Sequence, residues 1–252
     1  MDDDIMKMPL SEFNKRYRWV KLSMVPQASQ NVLNPTMRIA DHFIDTAKAH
    51  GIADKGEVIK KAEELLSLMR LDPHRTLRLY PPHQLSGGGM KQRIMIALAI
   101  LLDPEIVIMD EPTSALDVVT QSSILDTIKE LNRKLGLTVL FITHDITVVP
   151  RVANKIAVMY DGNIVEYGPM TDVIHEPKHP YTMSLISSTP TMNTKLSDIV
   201  ELHEIAQIGE NITGCSFWPR CPHRMDRCKY EVPNYVMVNN TSVRCHLYER
   251  TN

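Results

Sequence analysis

The stretch "IVIMDEPTSALD", Ile106–Asp117, decides how this chain is read. Four apolar residues run into two adjacent carboxylates, Asp110 and Glu111, then Pro112 and a polar turn. A continuous apolar run of strand length is the pattern of a strand buried on both faces of a parallel sheet. Acids at the end of such a strand are either solvated chain ends or a phosphoryl-transfer pair. In the second case the first supports Mg²⁺ and the second polarises a water. Downstream, "QSSILDTIKELNRKL" (residues 121–135) has the spacing of an amphipathic helix closed by Gly136. "TVLFITHD" (138–145) reads as another buried strand with His144 at its end. Strand, helix and strand in alternation across 105–143 predict an α/β sheet with crossover helices.

The same reading extends outward. "WVKLSMVPQ" (19–27) is a short strand followed by Gln27, and residues 28–35 are loop-like up to Pro35. "GEVIKKAEELLSLMRL" and "MKQRIMIALAILL" are helical, the second stopped by Pro104. "HQLSGGGMKQR" (83–93) places Ser86, Gly87 and Gly88 just before a helix, where bare N–H groups make an anion site; the alternative is a Ser-capped flexible loop. "KIAVMYDGNIVEYG" is a hairpin with an Asp-Gly-Asn turn, and Pro150 falls inside an expected helix as a kink. Prolines 169, 177, 180 and 190 punctuate the chain from there on, so a domain boundary is expected near 168–172.

Composition narrows the function. Of 252 residues 43% are hydrophobic, and the formal charge is −2, which argues against nucleic-acid binding. No apolar run reaches about eighteen residues, and the acidic start "MDDDIMKMP" is no signal peptide. An intracellular protein is expected, brought to a membrane only by a partner. All four cysteines, Cys215, Cys221, Cys228 and Cys245, lie late in the chain, separated by five, six and sixteen residues. Structural zinc favours C-x₂₋₄-C pairs, so these wider gaps suit an iron–sulfur cluster better. Zinc, with His223 or His246 replacing a cysteine, and four free thiols are the alternatives. Arg220, Arg227 and Arg244 flank the cysteines and are expected to lower their thiol pKa values.

Order and spacing together — Gln27, a helical insert, LSGG, apolar-Asp-Glu, SALD, a strand ending in His — resemble the nucleotide-binding subunit of an ABC transporter over residues ~15–170. "LNP" after Gln27, "ALDVVTQSSIL", "PKHPYTMSLISSTP" and the cysteine group resemble the oligopeptide/dipeptide (and nickel) importers among them. The resemblance implies a P-loop-NTPase-type α/β fold: a partial ATPase domain over 1–170, a helical subdomain at about 28–100, and a Cys-cluster extension over 171–252. It implies ATP and Mg²⁺ as cofactors and a [4Fe–4S] cluster on the four cysteines, with Zn²⁺ as the alternative. Glu111 becomes the general base and His144 the switch histidine on the γ-phosphate. Gln27 and Asp110 serve Mg²⁺, and Leu85, Ser86, Gly87 and Gly88 form the signature loop. Ser114–Asp117 communicate across an ATPase dimer. Implied partners are permease subunits, a second ATPase subunit and, indirectly, an extracytoplasmic binding protein; the implied location is the cytoplasmic face of the membrane.

Two departures qualify the resemblance. G-x-x-x-x-G-K-[ST] occurs nowhere in the sequence, and only 26 residues precede Gln27, so an N-terminal truncation is expected. The chain as it stands is then inactive alone, or a half-site or gene remnant donating only its signature loop. "LSGGGMKQR" also carries one glycine more than LSGG-x-x-Q-R, so an insertion or a shifted turn is expected. A soluble ABC ATPase of repair or translation would need long inserts or tandem cassettes. A self-sufficient cysteine module would keep its function in 172–252 alone.

Overall fold

A computed structural model of the chain describes residues 4–27, 32–80, 84–85, 87–114, 116–188 and 212–249. The chain forms two compact units, Met1–His144 and Asp145–Asn252.

The first unit runs α1 (Leu10–Arg16), β1 (Leu22–Val25), α2 (Ile39–Ala49), α3 (Lys55–Leu68), α4 (Pro73–Thr76), α5 (Gly87–Ala99), β2 (Ile106–Asp110), α6 (Val118–Leu135) and β3 (Thr138–Ile142). Its strands pair in parallel in the order β1-β2-β3, with Met24 opposite Ile108 and Ile108 opposite Leu140. Helix α5 is the pillar of this unit. From Ile94 to Leu101 every residue is buried, the pattern of a helix enclosed on all sides. Phe43 from α2, Leu66 from α3, Met109 from β2 and Ile124 from α6 complete the same core. Each such side chain contributes about 1.5–3 kcal/mol by leaving water. Side-chain caps set where the helices begin: Asp54 accepts from the N–H groups of Gly56 and Glu57, and Asp72 from that of Arg75. Gly136, at φ +65°, closes α6 as expected.

The sheet departs from the expectation of burial on both faces. Val107 and Met109 are buried, but Met24, Ile106, Leu140 and Ile142 are exposed. Burial alternates along the strands, so one face is covered more than the other, and among the described residues β1 and β3 are the edge strands. The extra glycine of the signature stretch also finds a reason. It forms part of the first turn of α5, where a Cβ on Gly89 would lie 2.3 Å from the Thr120 methyl carbon on α6.

The second unit runs α7 (Val149–Val152), β4 (Lys155–Tyr160), β5 (Asn163–Pro169), α8 (Met170–His175), α9 (Pro180–Ser187), a 3₁₀ turn at Trp218–Arg220, α10 (Asp226–Tyr230), β6 (Tyr235–Val238) and β7 (Thr241–Arg244). The sheet is antiparallel in the order β4-β5-β7-β6. The β4–β5 turn has Asp161 at φ +48° and Gly162 at φ +73°, the paired left-handed residues of a tight hairpin. Strand β5 also pairs with β7, Tyr167 opposite Ser242, so the hairpin packs with the C-terminal residues. Pro150 causes no kink: it sits in the first turn of α7, where its missing N–H is not needed. Val158, Val165 and Val173 form the small core beside Tyr160 and Tyr181, whose rings pack on Phe217 at centroid distances of 5.2 and 5.5 Å.

Overpacking at the α5–α6 contact is testable. Gly89→Ala is expected to destabilise the chain by about 1–2 kcal/mol despite the better helix propensity of alanine. Thr120→Ser removes the methyl and should abolish that loss. Denaturant unfolding of both variants and their double mutant measures the coupling.

Candidate active site

In the first unit, strand order brings the polar ends of β1, β2 and β3 to one edge of the sheet. Glu111 follows β2 with φ +46°, a left-handed conformation that costs a residue with a side chain about 1–2 kcal/mol. Hydrogen bonds hold it there. Its N–H donates to the Ile142 carbonyl at 2.9 Å, and its own carbonyl accepts from the Ser114 N–H at 3.1 Å and the Ser114 hydroxyl at 2.9 Å. The carboxylate is held at both oxygens. Gln27 Nε2 donates to Oε2 at 3.3 Å, and His144 Nδ1 lies 2.7 Å from Oε1. Glu111 is largely covered, with 22% of its side chain exposed, while His144 reaches in from solvent at 76%. Three residues separated by up to 117 positions therefore meet at one carboxylate. Asp110 ends β2 directly beside them. Carboxylates and an amide oxygen at one sheet end are the hard donor set that fits Mg²⁺.

The remaining predicted residues fall around this centre. Asp117 caps α6, accepting from the Thr120 N–H at 2.9 Å; hydrogen bonding from the Thr120 hydroxyl, and then from that N–H, holds its carboxyl below the usual range. Leu85 is buried, and Gly87 and Gly88 open α5. Ser86 lies outside the described residues. A residue the sequence reading passed over is Arg93. Half-buried, it donates to the Met69 carbonyl at 3.1 Å and the Ser123 hydroxyl at 2.9 Å, tying the end of α3 and α6 to α5. Burial and the nearby Arg70 charge lower its pKa.

In the second unit, Cys215, Cys221, Cys228 and Cys245 line one cavity of about 20 Å³ together with His179, Phe217 and His246. By the same measure a water needs about 10–15 Å³. The donor chemistry fits a thiolate-ligated group in kind and number, since four sulfurs from distant positions meet without a competing carboxylate. As the side chains stand, no three His, Cys, Asp or Glu among the described residues are arranged as ligands of one ion.

Two expectations are corrected here. The flanking arginines do not lower the thiol pKa values. Burial raises Cys215 and pushes Cys221 and Cys245 up to about 11, and neighbouring thiols add to the rise. Arg244 pulls Cys215 the other way but is outweighed, and Arg227 is committed to Glu249 and Glu231. His246 is turned to other partners, its ring nitrogens facing Glu249 Oε2 at 2.5 Å and the Glu231 carbonyl at 2.9 Å, so a ligand role would require it to give up one of them.

His179 is the residue of this cavity that the sequence reading missed. It is 1% exposed and caps α9, its Nδ1 accepting from the Tyr181 N–H at 3.1 Å. The buried carboxylate of Glu166 accepts from the N–H groups of Lys178 and His179 at 2.8 and 2.9 Å. The sequence signal was "HP", a capping residue followed by the proline favoured at a helix start. Burial lowers the His179 pKa to about 4.

That value sets a pH dependence. The folded state resists protonation of His179, so its stabilising effect is present above about pH 6.5 and fades as pH falls toward 4. Between those pH values the wild type should lose about 3 kcal/mol more stability than His179→Asn, measured by denaturant unfolding. Equal losses would refute this.

Comparison with known proteins follows the same division. The "ABC transporter" family matches residues 4–114, and the "Oligopeptide/dipeptide transporter, C-terminal region" family matches residues 165–228. The dipeptide transport ATP-binding protein DppD of Caldanaerobacter subterraneus subsp. tengcongensis is 45% identical over 249 residues, covering 98% of this chain and 76% of the relative. The oligopeptide transport ATP-binding protein OppD of Escherichia coli is 34% identical over 232 residues, covering 91% of this chain and 68% of the relative. Among solved structures, the dimeric post-hydrolysis state of the ATP-binding cassette MJ0796 bound to ADP and Pi is similar with a TM-score of 0.56 and 31% identity, over 65% of this chain and 68% of that one. With the parallel sheet, the Gln27–Glu111–His144 constellation and both family matches in agreement, the chain belongs to the ABC transporter ATP-binding subunits, in their oligopeptide/dipeptide branch.

Proposed function

We propose that this chain energises peptide import as the transport-coupled ATPase subunit of a membrane complex, with Glu111 as the general base. The observation that carries this reading is the Glu111 carboxylate, held between Gln27 at 3.3 Å and His144 at 2.7 Å beside Asp110. A base must lie within hydrogen-bond reach of the group that orients it, and this one does. Gln27 and Asp110 would hold Mg²⁺, which when bound supplies charge neutralisation at the phosphates. His144 would contact the terminal phosphate, and Gly87 and Gly88, with Ser86, would present the signature loop to nucleotide held by a second ATPase subunit. Asp117 would stiffen the loop that faces that subunit by capping α6. The partners proposed are a permease pair and a second ATPase subunit, with a binding protein acting through the permease, at the cytoplasmic face of the membrane. No helix among the described residues is long and apolar enough to cross a membrane. In domain terms, residues 1–170 are proposed as cassette and 171–252 as peptide-importer extension. Peptides are favoured over nickel by the names of the relatives.

The second reading is a half-site that donates its signature loop in trans. ATPase assays separate the readings. The chain alone should hydrolyse ATP negligibly. A complex reconstituted with permease, binding protein and partner ATPase should turn over, and Glu111→Gln should slow it about 10²–10⁴-fold. Unchanged turnover in Glu111→Gln would remove Glu111 as the base and leave the half-site reading.

For the extension, a [4Fe–4S] cluster on Cys215, Cys221, Cys228 and Cys245 is proposed ahead of zinc. Support comes from the four thiols sharing one cavity and from their spacing. A single tetrahedral Zn²⁺ with bonds of about 2.3 Å would draw four sulfurs to within about 3.8 Å of one another, whereas a cubane gives each thiolate its own iron and more room. The expected role is to pin a loop-rich segment. Cys221→Ser should speed limited proteolysis within 172–252; an unchanged digestion rate would count against ligation.

A further inference from the structure

We infer that Arg93 is a positioning residue for turnover: its guanidinium fixes α5 on α6 and on the end of α3, so that the signature loop leading into α5 and the loop of residues 114–117 leading into α6 face a second subunit at one set spacing. The inference rests on the ATPase reading above and adds to it a residue outside the catalytic set.

Two levels of contact set how α5 lies on α6. At the first, Gly89 approaches Thr120 so closely that a Cβ on the glycine would stand 2.3 Å from the threonine methyl. At the second, about one turn further along both helices, Arg93 Nη2 donates to the Ser123 hydroxyl at 2.9 Å. Residues three or four apart share one face of a helix, so Gly89 with Arg93 and Thr120 with Ser123 form a single seam. A further tie leaves that seam. Arg93 Nη1 donates to the Met69 carbonyl at 3.1 Å, at the C-terminal end of α3, where helix carbonyls lack partners within their own helix. The next residue, Arg70, turns left-handed at φ +58° and reaches Glu130 on α6 at 3.7 Å. One guanidinium therefore bridges three helices through a planar fork whose donors keep a fixed geometry.

The partners of this cation are a carbonyl and a hydroxyl. Burial and the Arg70 charge both work against the charged form, and among the described residues no carboxylate pairs with it. Desolvation offsets much of what the two hydrogen bonds contribute, so direction rather than net stability is what they add. Direction matters here because both loops enter at the seam. Helix α5 opens at Gly87, two residues before Gly89, and Asp117 caps α6 three residues before Thr120. A twist of α5 or a slide along α6 would move one loop against the other. Arg93 opposes both, since its two acceptors sit on different helices.

The test uses the complex reconstituted with permease, binding protein and partner ATPase. Arg93→Met keeps the apolar stem and removes both donors. Arg93→Lys keeps the charge without the fork, and Ser123→Ala removes the α6 acceptor alone. Ile128→Val, at a buried position on α6, thins the packing but leaves the ties, and denaturant unfolding of each chain matches the variants for stability. The expected result is a kcat lowered about tenfold in Arg93→Met at an unchanged KM for ATP, with Arg93→Lys and Ser123→Ala intermediate and Ile128→Val at the wild-type rate. Ser123→Ala added to Arg93→Met should lower kcat no further, because that bond is already gone. Where Arg93→Met does not fold, Ser123→Ala carries the test: lowered kcat supports the tie and wild-type kcat overturns it. A loss of turnover that Ile128→Val reproduces at equal stability overturns the positioning role. Arg93→Met at the wild-type rate beside a slowed Glu111→Gln overturns this inference and leaves the ATPase reading standing. Glu111→Gln at the wild-type rate overturns that reading, and this inference with it.

Discussion

The backbone of Glu111 is the constraint on which the first unit's site depends. Its N–H still belongs to the sheet, bonded to Ile142, while its φ of +46° turns the chain away from the strand. Strain of this kind persists only where the surroundings over-determine it. Here they do, because the N–H, the carbonyl and both carboxylate oxygens are all engaged. The partners arrive by register. Strand β1 pairs with β2 so that Val25 sits opposite Met109, which places Gln27 two residues beyond. Strand β3 pairs with β2 so that Ile142 sits opposite Asp110, which places His144 two residues beyond. A slip of one residue in either pairing would turn the strand's apolar set to the wrong face and move its polar residue out of reach.

The second unit answers a different problem, how to bury four thiols and a histidine in a small domain. Burial costs the charged forms, and the structure lets that cost stand: it raises the thiols of Cys215, Cys221 and Cys245 and keeps His179 neutral. Charges that could have opposed this are satisfied elsewhere. Arg227 and His246 both turn to Glu249, and Arg244 donates to the Pro233 carbonyl and to Asn163. Sulfur is thus the soft donor that the cavity wall presents.

Much of this was legible in the sequence wherever a local rule decided the outcome. The helix stop at Gly136, the Asp-Gly turn of the β4–β5 hairpin and the apolar strand before Asp110 all follow from one residue's backbone preference or from a short pattern. The meeting of Gln27, Glu111 and His144 came from motif order, since spacing alone cannot bring three strand ends to one edge. What stayed hidden depended on packing between elements. The role of Gly89 is set by Thr120, 31 residues on. The thiol pKa values are set by burial that a list of flanking arginines cannot reveal. His179 reads as an ordinary capping residue until the cavity behind it is seen.

The two units share a logic that bears on binding. Each holds groups in a condition that costs free energy without a ligand: Glu111 in a left-handed turn, and Cys215, Cys221 and Cys245 desolvated enough to raise their pKa values. A ligand that relieves such a cost binds more tightly than contact area alone would give, but only in the state that the relief requires. For the cysteines that state is the thiolate, so ligation must expel protons from groups whose pKa values reach about 11. Uptake of a thiolate-ligated group should then weaken steeply with falling pH, since each ligand still protonated adds one proton to the exchange. The burial that raises these thiols is thus the same feature that makes ligation by them depend on pH.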